Sequence, residues 1–230
     1  MKLIQPTEFR TLYKYTSQRW LDSLLRKGRF RIGSLYEYRS YEHAEIGDTD
    51  EGKKQFAFWG TGTIKGLTVA ELNQQFPKLH IGNTSNKVLI PSSEKDEQIP
   101  VGIEIHSPDS YLFCMTEVFD KEVMRRFGYD ACLEITDPSR FFVQLSKAMR
   151  PFANFGSMER CQYGTRYGLY EHHTELRPQI LKPEALQHQR EVRILWDPKI
   201  SQSQQPLGTP NLFPIFVCRP KAAMFLRRVA

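Results

Sequence analysis

In the stretch EVRILW, Glu191 and Arg193 stand two apart, which on a β-strand puts both side chains on one face. Val192, Ile194 and Trp196 would take the opposite face. A carboxylate held beside a guanidinium stays ionised, and in a cleft it can stabilise a developing cation or orient a hydroxyl. The plainer alternative is a structural ion pair on an exposed sheet face. A second group lies near the start of the chain, where Tyr13 and Tyr15 would share one strand face and Lys14 the other. Tyrosine rings can stack on a base or a nicotinamide, while Lys14 and Arg31 can neutralise phosphates as a point charge and a fork. The alternative there is a Tyr pair in the core with satisfied hydroxyls and Lys14 in solvent.

Other chemistries find less support. His172 and His173 are adjacent, so on a strand they would face opposite sides, and no Cys or carboxylate pair stands at metal-ligand spacing. No metal is expected. Cys114 or Cys161 could serve as a nucleophile with a spatially adjacent His, but nothing local supports it. There is no P-loop, no G-x-G-x-x-G after a strand and no G-x-S-x-G. The acidic run His43–Glu51 holds Asp48 and Glu51 and could cover a site near the basic strands, although most such runs are solvated loops.

The 230 residues carry a net charge of +6, unevenly distributed. Residues 1–40 have nine Lys/Arg against three acids, residues 41–60 have five acids against two Lys, and residues 219–230 have four basic groups and no acid. Two basic ends meeting on one face would favour an anionic partner such as a nucleotide or nucleic acid. Tyr and Trp between the cations would suit a single strand, by stacking and phosphate contacts. The four Cys are scattered, which points to thiols in a reducing compartment and a cytoplasmic location. No apolar run reaches the roughly 20 residues needed to span a bilayer, and MKLIQPTEFR does not read as a signal peptide.

The elements that must position these residues follow from periodicity and punctuation. Strands are expected at Leu12–Tyr15, Phe30–Leu35, Gln55–Trp59, Lys87–Ile90, Val101–Ile105, Tyr111–Met115, Ala131–Ile135, Glu191–Trp196, Leu212–Cys218 and Met224–Val229. Ser17 is read as the cap of a helix with Trp20, Leu21, Leu24 and Leu25 on its apolar face, stopped by Gly28. Thr68–Glu71 has the pattern of a capping box opening a helix that ends near Pro77, and Pro91–Pro100 reads as a charged surface loop. Asp120–Phe127 is a small helix. Asp137 and Pro138 begin another, whose stripe is Phe141, Phe142, Leu145 and Met149. The stretch Pro151–Pro178 reads as an ordered loop, and Ser201–Pro210 as a polar one. Many strands with few, short helices and no long linker predict one α+β domain over residues 1–230.

Three segments in order carry a resemblance: LYKYTSQRWLDSLLRKGRFRIGSLYEY, YLFCMTEVFDKEVMRRFGYDACLEI and LKPEALQHQREVRIL. Together they resemble a bacterial family of unknown or phage-defence-linked function, with a YKY-type first strand and a late Lys…Glu-x-Arg segment. They are also distantly similar to the DarT-like toxins of the ADP-ribosyltransferase superfamily. That resemblance implies a split, mixed or antiparallel sheet and the use of NAD as substrate. It implies an effector, of toxin or defence type, that passes ADP-ribose to a nucleic acid or other macromolecule and is restrained by an antitoxin or defence-system partner. It places Tyr13, Lys14, Tyr15 and Arg31 on the NAD cleft, Tyr36 beside the nicotinamide, and Glu191 as the catalytic carboxylate, with Lys182 and Arg193 supporting it. The pattern departs from the superfamily where Lys14 replaces an Arg or His, where Cys114-Met115-Thr116 replaces Cys-Phe-Ser, and where YRSYEHAEIGDTDEG replaces an Asn-Asp-Pro loop, which leaves Asp48 and Glu51 only loosely placed. The other functions open to this sequence are an NAD glycohydrolase and a non-catalytic nucleic-acid-binding module.

Overall fold

A computed structural model describes residues 9–41, 46–60, 86–89, 99–154, 156–169, 177–199 and 212–229. The expected capping box at Thr68–Glu71, most of the loop Pro91–Pro100, the pair His172–His173 and the loop Ser201–Pro210 lie outside them. The first half contributes β1 (Leu12–Thr16), α1 (Gln18–Leu25), β2 (Arg29–Ser34), β3 (Lys53–Gly60), β4 (Asn86–Leu89), β5 (Ile99–His106) and β6 (Tyr111–Thr116). Next come α2 (Lys121–Arg126), β7 (Ala131–Ile135), α3 (Pro138–Met149), β8 (Ser157–Arg160), β9 (Gln162–Tyr163) and β10 (Tyr167–Leu169). The last are β11 (Leu181–Lys182), β12 (Glu191–Trp196), β13 (Ile215–Cys218), α4 (Pro220–Ala223) and β14 (Leu226–Arg228). This is a mixed α+β chain whose pairing is mostly antiparallel, with parallel pairs only at β10–β3 and β11–β9 among the described strands.

Strand β6 organises the main sheet. Five of its six side chains are buried, as expected of a central strand. One edge pairs with β12 over its full length, from Tyr111 opposite Trp196 to Thr116 opposite Glu191. Two strands share the other edge: β2 meets Tyr111 and Leu112, and β1 meets Thr116. The sheet therefore divides there, with β13 beyond β2 and with β7 and β14 beyond β1. In the interval, the Cys114 carbonyl accepts a hydrogen bond from Lys14 Nζ at 2.7 Å instead of from a strand.

The two faces differ sharply. On one, Val192, Ile194 and Trp196 pack with Phe30, Phe113, Phe141, Phe142, Leu145 and Met149 in the largest core cluster. Trp196 is fully buried and its Nε1 donates to Ser146 Oγ at 2.9 Å, so the indole keeps a partner. Asp137 caps α3 through the Arg140 amide at 3.0 Å, and Asp120 caps α2 through the amides of Glu122 and Val123. The opposite face carries Tyr13, Tyr15, Cys114, Thr116, Glu191 and Arg193, as the register of β1, β6 and β12 requires.

Several local expectations need correction. Ser17 makes no side-chain cap; Asp130 takes that role, accepting from the Gln18 amide at 2.7 Å. Trp20 is 46% exposed, and α1 packs on the core through Leu21 and Leu24, with Leu25 partly buried beside them. The stretch from Pro151 to Pro178 is not all loop: β8 completes the main sheet beside β12, while β9 and β10 pair elsewhere. Two of these strands are too short to show a period in the sequence. The terminal strands are also shorter than expected, beginning at Ile215 and Leu226, and Met224 is 79% exposed. Among the described residues no helix is long and apolar enough to cross a membrane.

Candidate functional site

Glu191 begins β12 immediately after Arg190, whose left-handed backbone (φ 43°) turns the chain out of a 3₁₀ turn at Glu184–Gln189. The Glu191 amide donates to the Tyr163 hydroxyl at 2.7 Å, and its carbonyl accepts from the Cys161 amide at 2.8 Å. Its carboxylate lies on the second face of the sheet with only 8% of the residue exposed. Oε1 accepts from Arg193 Nε at 2.7 Å, and Oε2 accepts from Lys182 Nζ at 2.6 Å. Lys182 also donates to Gln189 Oε1 at 2.6 Å. The fork of Arg193 closes on Glu51, Nη1 to Oε1 at 2.7 Å and Nη2 to Oε2 at 2.9 Å, and Nη1 also reaches the Gln179 carbonyl at 2.6 Å.

The result is a buried row of alternating charge: Glu51, Arg193, Glu191, Lys182. An ion pair on an exposed sheet face is thereby ruled out. Burial pushes the Glu191 carboxyl up, but Arg193 and Lys182 outweigh it and hold the group well below its usual range. Burial likewise opposes the charge of Lys182, yet Glu191 keeps its ammonium protonated above the ordinary lysine value. Glu191 is therefore an ionised acceptor at neutral pH and a poor general base.

A cavity of about 80 Å³ lies against this row. Its walls include Tyr13, Lys14, Tyr38, Tyr129, Glu191 and Arg193. Beside it a larger cavity of about 330 Å³ takes Lys14, Arg19, Arg29 and Arg31 together with Trp20 and Phe216, with no carboxylate among the described residues that line it. The two cavities share Lys14, Tyr15, Tyr38, Cys114 and Tyr129. Lys14 thus stands where the sheet divides, its ammonium 4.7 Å from the centre of the Phe113 ring. Burial lowers its pKa, an effect that Cys114 and Glu191 partly oppose.

The structure brings most of the sequence candidates together. Tyr13, Lys14, Tyr15, Lys182, Glu191 and Arg193 all line the smaller cavity, and Arg31 lines the larger one. Tyr15 is also a core residue: it is 7% exposed, and its hydroxyl donates to the Val118 carbonyl and accepts from the Asp120 amide. Arg31 pairs with Glu37. Tyr36 is set apart from both cavities, buried with Leu35 and Ile180, its hydroxyl bonded to the Ser107 carbonyl. Asp48, loosely placed by sequence, is gripped by both terminal nitrogens of Arg166.

Sequence reasoning missed Gln189, Tyr163 and Arg166. Only adjacency to Glu191 pointed to Gln189, and nothing local pointed to the others. Burial pushes the Cys114 thiol up to about 12 and the Cys161 thiol well above its ordinary value, which disfavours a thiolate nucleophile at either position. Among the described residues no group of three or more His, Cys, Asp or Glu stands close enough to hold a metal ion. Comparison of the chain with protein-family models, with curated proteins and with solved structures finds no match.

Proposed function

We propose that this protein is an ADP-ribosyltransferase-like effector that cleaves NAD and passes ADP-ribose to a macromolecular acceptor. The observation that carries the reading is the junction at Lys14: an aromatic cavity lined by an ionised Glu191 opens beside a cavity lined by Lys14, Arg19, Arg29 and Arg31. A dinucleotide has the same division, with a flat ring and ribose at one end and a pyrophosphate next to it. Lys14 and Arg31 would meet the pyrophosphate as charges, and Tyr13 and Tyr38 would flank the nicotinamide. The divided sheet supports an ADP-ribosyltransferase-like arrangement.

The chemistry assigned to Glu191 suits its electrostatics. The bond from ribose C1′ to the nicotinamide nitrogen breaks, and its electron pair leaves with neutral nicotinamide. Positive charge then spreads over C1′ and the ring oxygen. A carboxylate that cannot be protonated near neutral pH stabilises that charge and can accept a hydrogen bond from a ribose hydroxyl. The acceptor then bonds to C1′ and releases its proton to solvent. Water as the acceptor would make the protein an NAD glycohydrolase.

Thermal unfolding with millimolar NAD tests binding, and chromatography of released nicotinamide tests chemistry. NAD at 100 times its dissociation constant adds about 2.7 kcal/mol, or roughly 5–10 °C for a chain of this size. Lys14→Met should remove most of that shift, and Glu191→Gln should abolish nicotinamide release from folded protein. No shift and no release with wild type would end the proposal.

A second reading is favoured by the larger cavity's two solvent-facing rings, Trp20 at 46% and Phe216 at 50% exposure, each with an Arg nearby. Rings alternating with cations would hold single-stranded nucleic acid without catalysis. In that case Arg29→Ala and Arg31→Ala would weaken oligonucleotide binding and reduce its salt dependence, whereas Glu191→Gln would leave it intact.

A further inference from the structure

We infer that Glu51 is a positioning residue for Glu191, acting through Arg193; this rests on the NAD reading above for its catalytic consequence alone. A guanidinium can hold a carboxylate with two parallel bonds, and that doubly bonded form is its stronger one. Arg193 does not hold Glu191 that way. Both of its terminal nitrogens are taken by Glu51, and Nη1 is further engaged by the Gln179 carbonyl, so Glu191 receives Nε alone. A carboxylate has about four lone-pair positions. Arg193 and Lys182 fill one on each oxygen of Glu191, and the rest remain for the cavity it lines. Without Glu51, the fork would turn to Glu191 and compete with a ribose hydroxyl for those positions.

The segment that carries Glu51 is built to hold it still. Its amide donates to the Asp48 carbonyl at 2.9 Å, and its carbonyl accepts from Arg39 Nε at 2.7 Å. Gly52 follows with φ 70°, and a Cβ there would stand 2.7 Å from both Leu35 and Ser107. The Ser107 amide then bonds the Gly52 carbonyl at 2.9 Å. Three residues before Glu51, Asp48 makes a second two-pronged pair, with Arg166. Two such clamps on one short loop locate the Glu51 carboxylate far more tightly than solvation of an acidic run would require.

The test uses Glu51→Gln and Glu51→Asp in the full chain, read by crystal structure and by steady-state nicotinamide release. The expected structures show Arg193 turned to bond both oxygens of Glu191. The expected kinetics show kcat lowered at least tenfold with KM for NAD within about threefold. A merely stabilising Glu51 would lower the unfolding temperature without moving kcat of the folded enzyme. Should Glu51→Gln fail to fold, Glu51→Asp draws the carboxylate back by one methylene, too far to keep both bonds to the fork, and carries the same two readouts. Asp48→Asn serves as the comparison, because it loosens the same loop while leaving the Arg193 fork on Glu51. If wild type releases no nicotinamide, the functional reading fails by itself, and the Arg193 geometry in the variants still decides the positioning role. Arg193 remaining on Glu191 through Nε alone would overturn it.

Discussion

Glu191→Gln tests the buried charge row at its centre. In the native chain the Glu191 carboxylate accepts charge-assisted bonds from Arg193 and Lys182, with side-chain exposures of 9%, 2% and 5%. Glutamine keeps the shape but offers one acceptor oxygen and turns an NH₂ toward a cation. Arg193 would still have Glu51, whereas Lys182 would keep only the Gln189 oxygen. Removing one partner of a buried pair costs about 3–5 kcal/mol. Lys182 can limit that cost by losing its proton, so the lower end, about 3 kcal/mol, is expected at pH 7. For a chain of this length that is roughly 6–12 °C in transition temperature. The assay is urea and thermal unfolding of wild type, Glu191→Gln, and Glu191→Gln with Lys182→Met. The double variant removes the stranded ammonium and should recover at least half of the loss. The pH dependence has a definite sign. Glu191 has a folded pKa below its unfolded value, so its contribution is complete above about pH 5 and fades as pH falls toward the folded pKa. The gap between wild type and Glu191→Gln should shrink in acid. A loss below about 1 kcal/mol at pH 7, or a double variant weaker than the single, would refute the reasoning.

Three further outcomes are expected. Gly52→Ala should cost about 2–3 kcal/mol by denaturant unfolding, from a left-handed backbone and a Cβ 2.7 Å from Leu35 and Ser107; a neutral effect would show that the loop yields freely. Asp120→Ala should cost about 1 kcal/mol through loss of the α2 cap, and no change would mean solvent serves those amides equally well. With Ellman's reagent at pH 8, the exposed Cys218 should react in folded protein while the buried Cys132 and Cys161 wait for unfolding, since burial raises both thiols. Rapid modification of Cys132 would contradict that burial.

Much of the local structure was legible because its causes are local. The alternation in Glu191–Trp196 identified both the strand and its apolar face, and Asp120, Asp137 and Pro138 marked helix starts that the amide bonds verify. The Ser17 cap failed because Asp130, 112 positions beyond Gln18, accepts the Gln18 amide instead. Strands as short as Gln162–Tyr163 have no period to detect, and their pairing comes from neighbours distant in sequence.

The sequence by itself determined that Glu191 and Arg193 share a strand face, that Lys14 lies opposite Tyr13 and Tyr15, and that the basic residues gather toward the ends. Those facts depend only on backbone period and composition. Tertiary structure alone decided that the second face is buried and that Lys14 reaches through the division of the sheet to Cys114. It also decided that Glu51 closes on Arg193 across 142 residues, and Asp48 on Arg166 across 118. Ion pairs of that span depend on which strands are neighbours and in what register, and no local pattern of residue types encodes either.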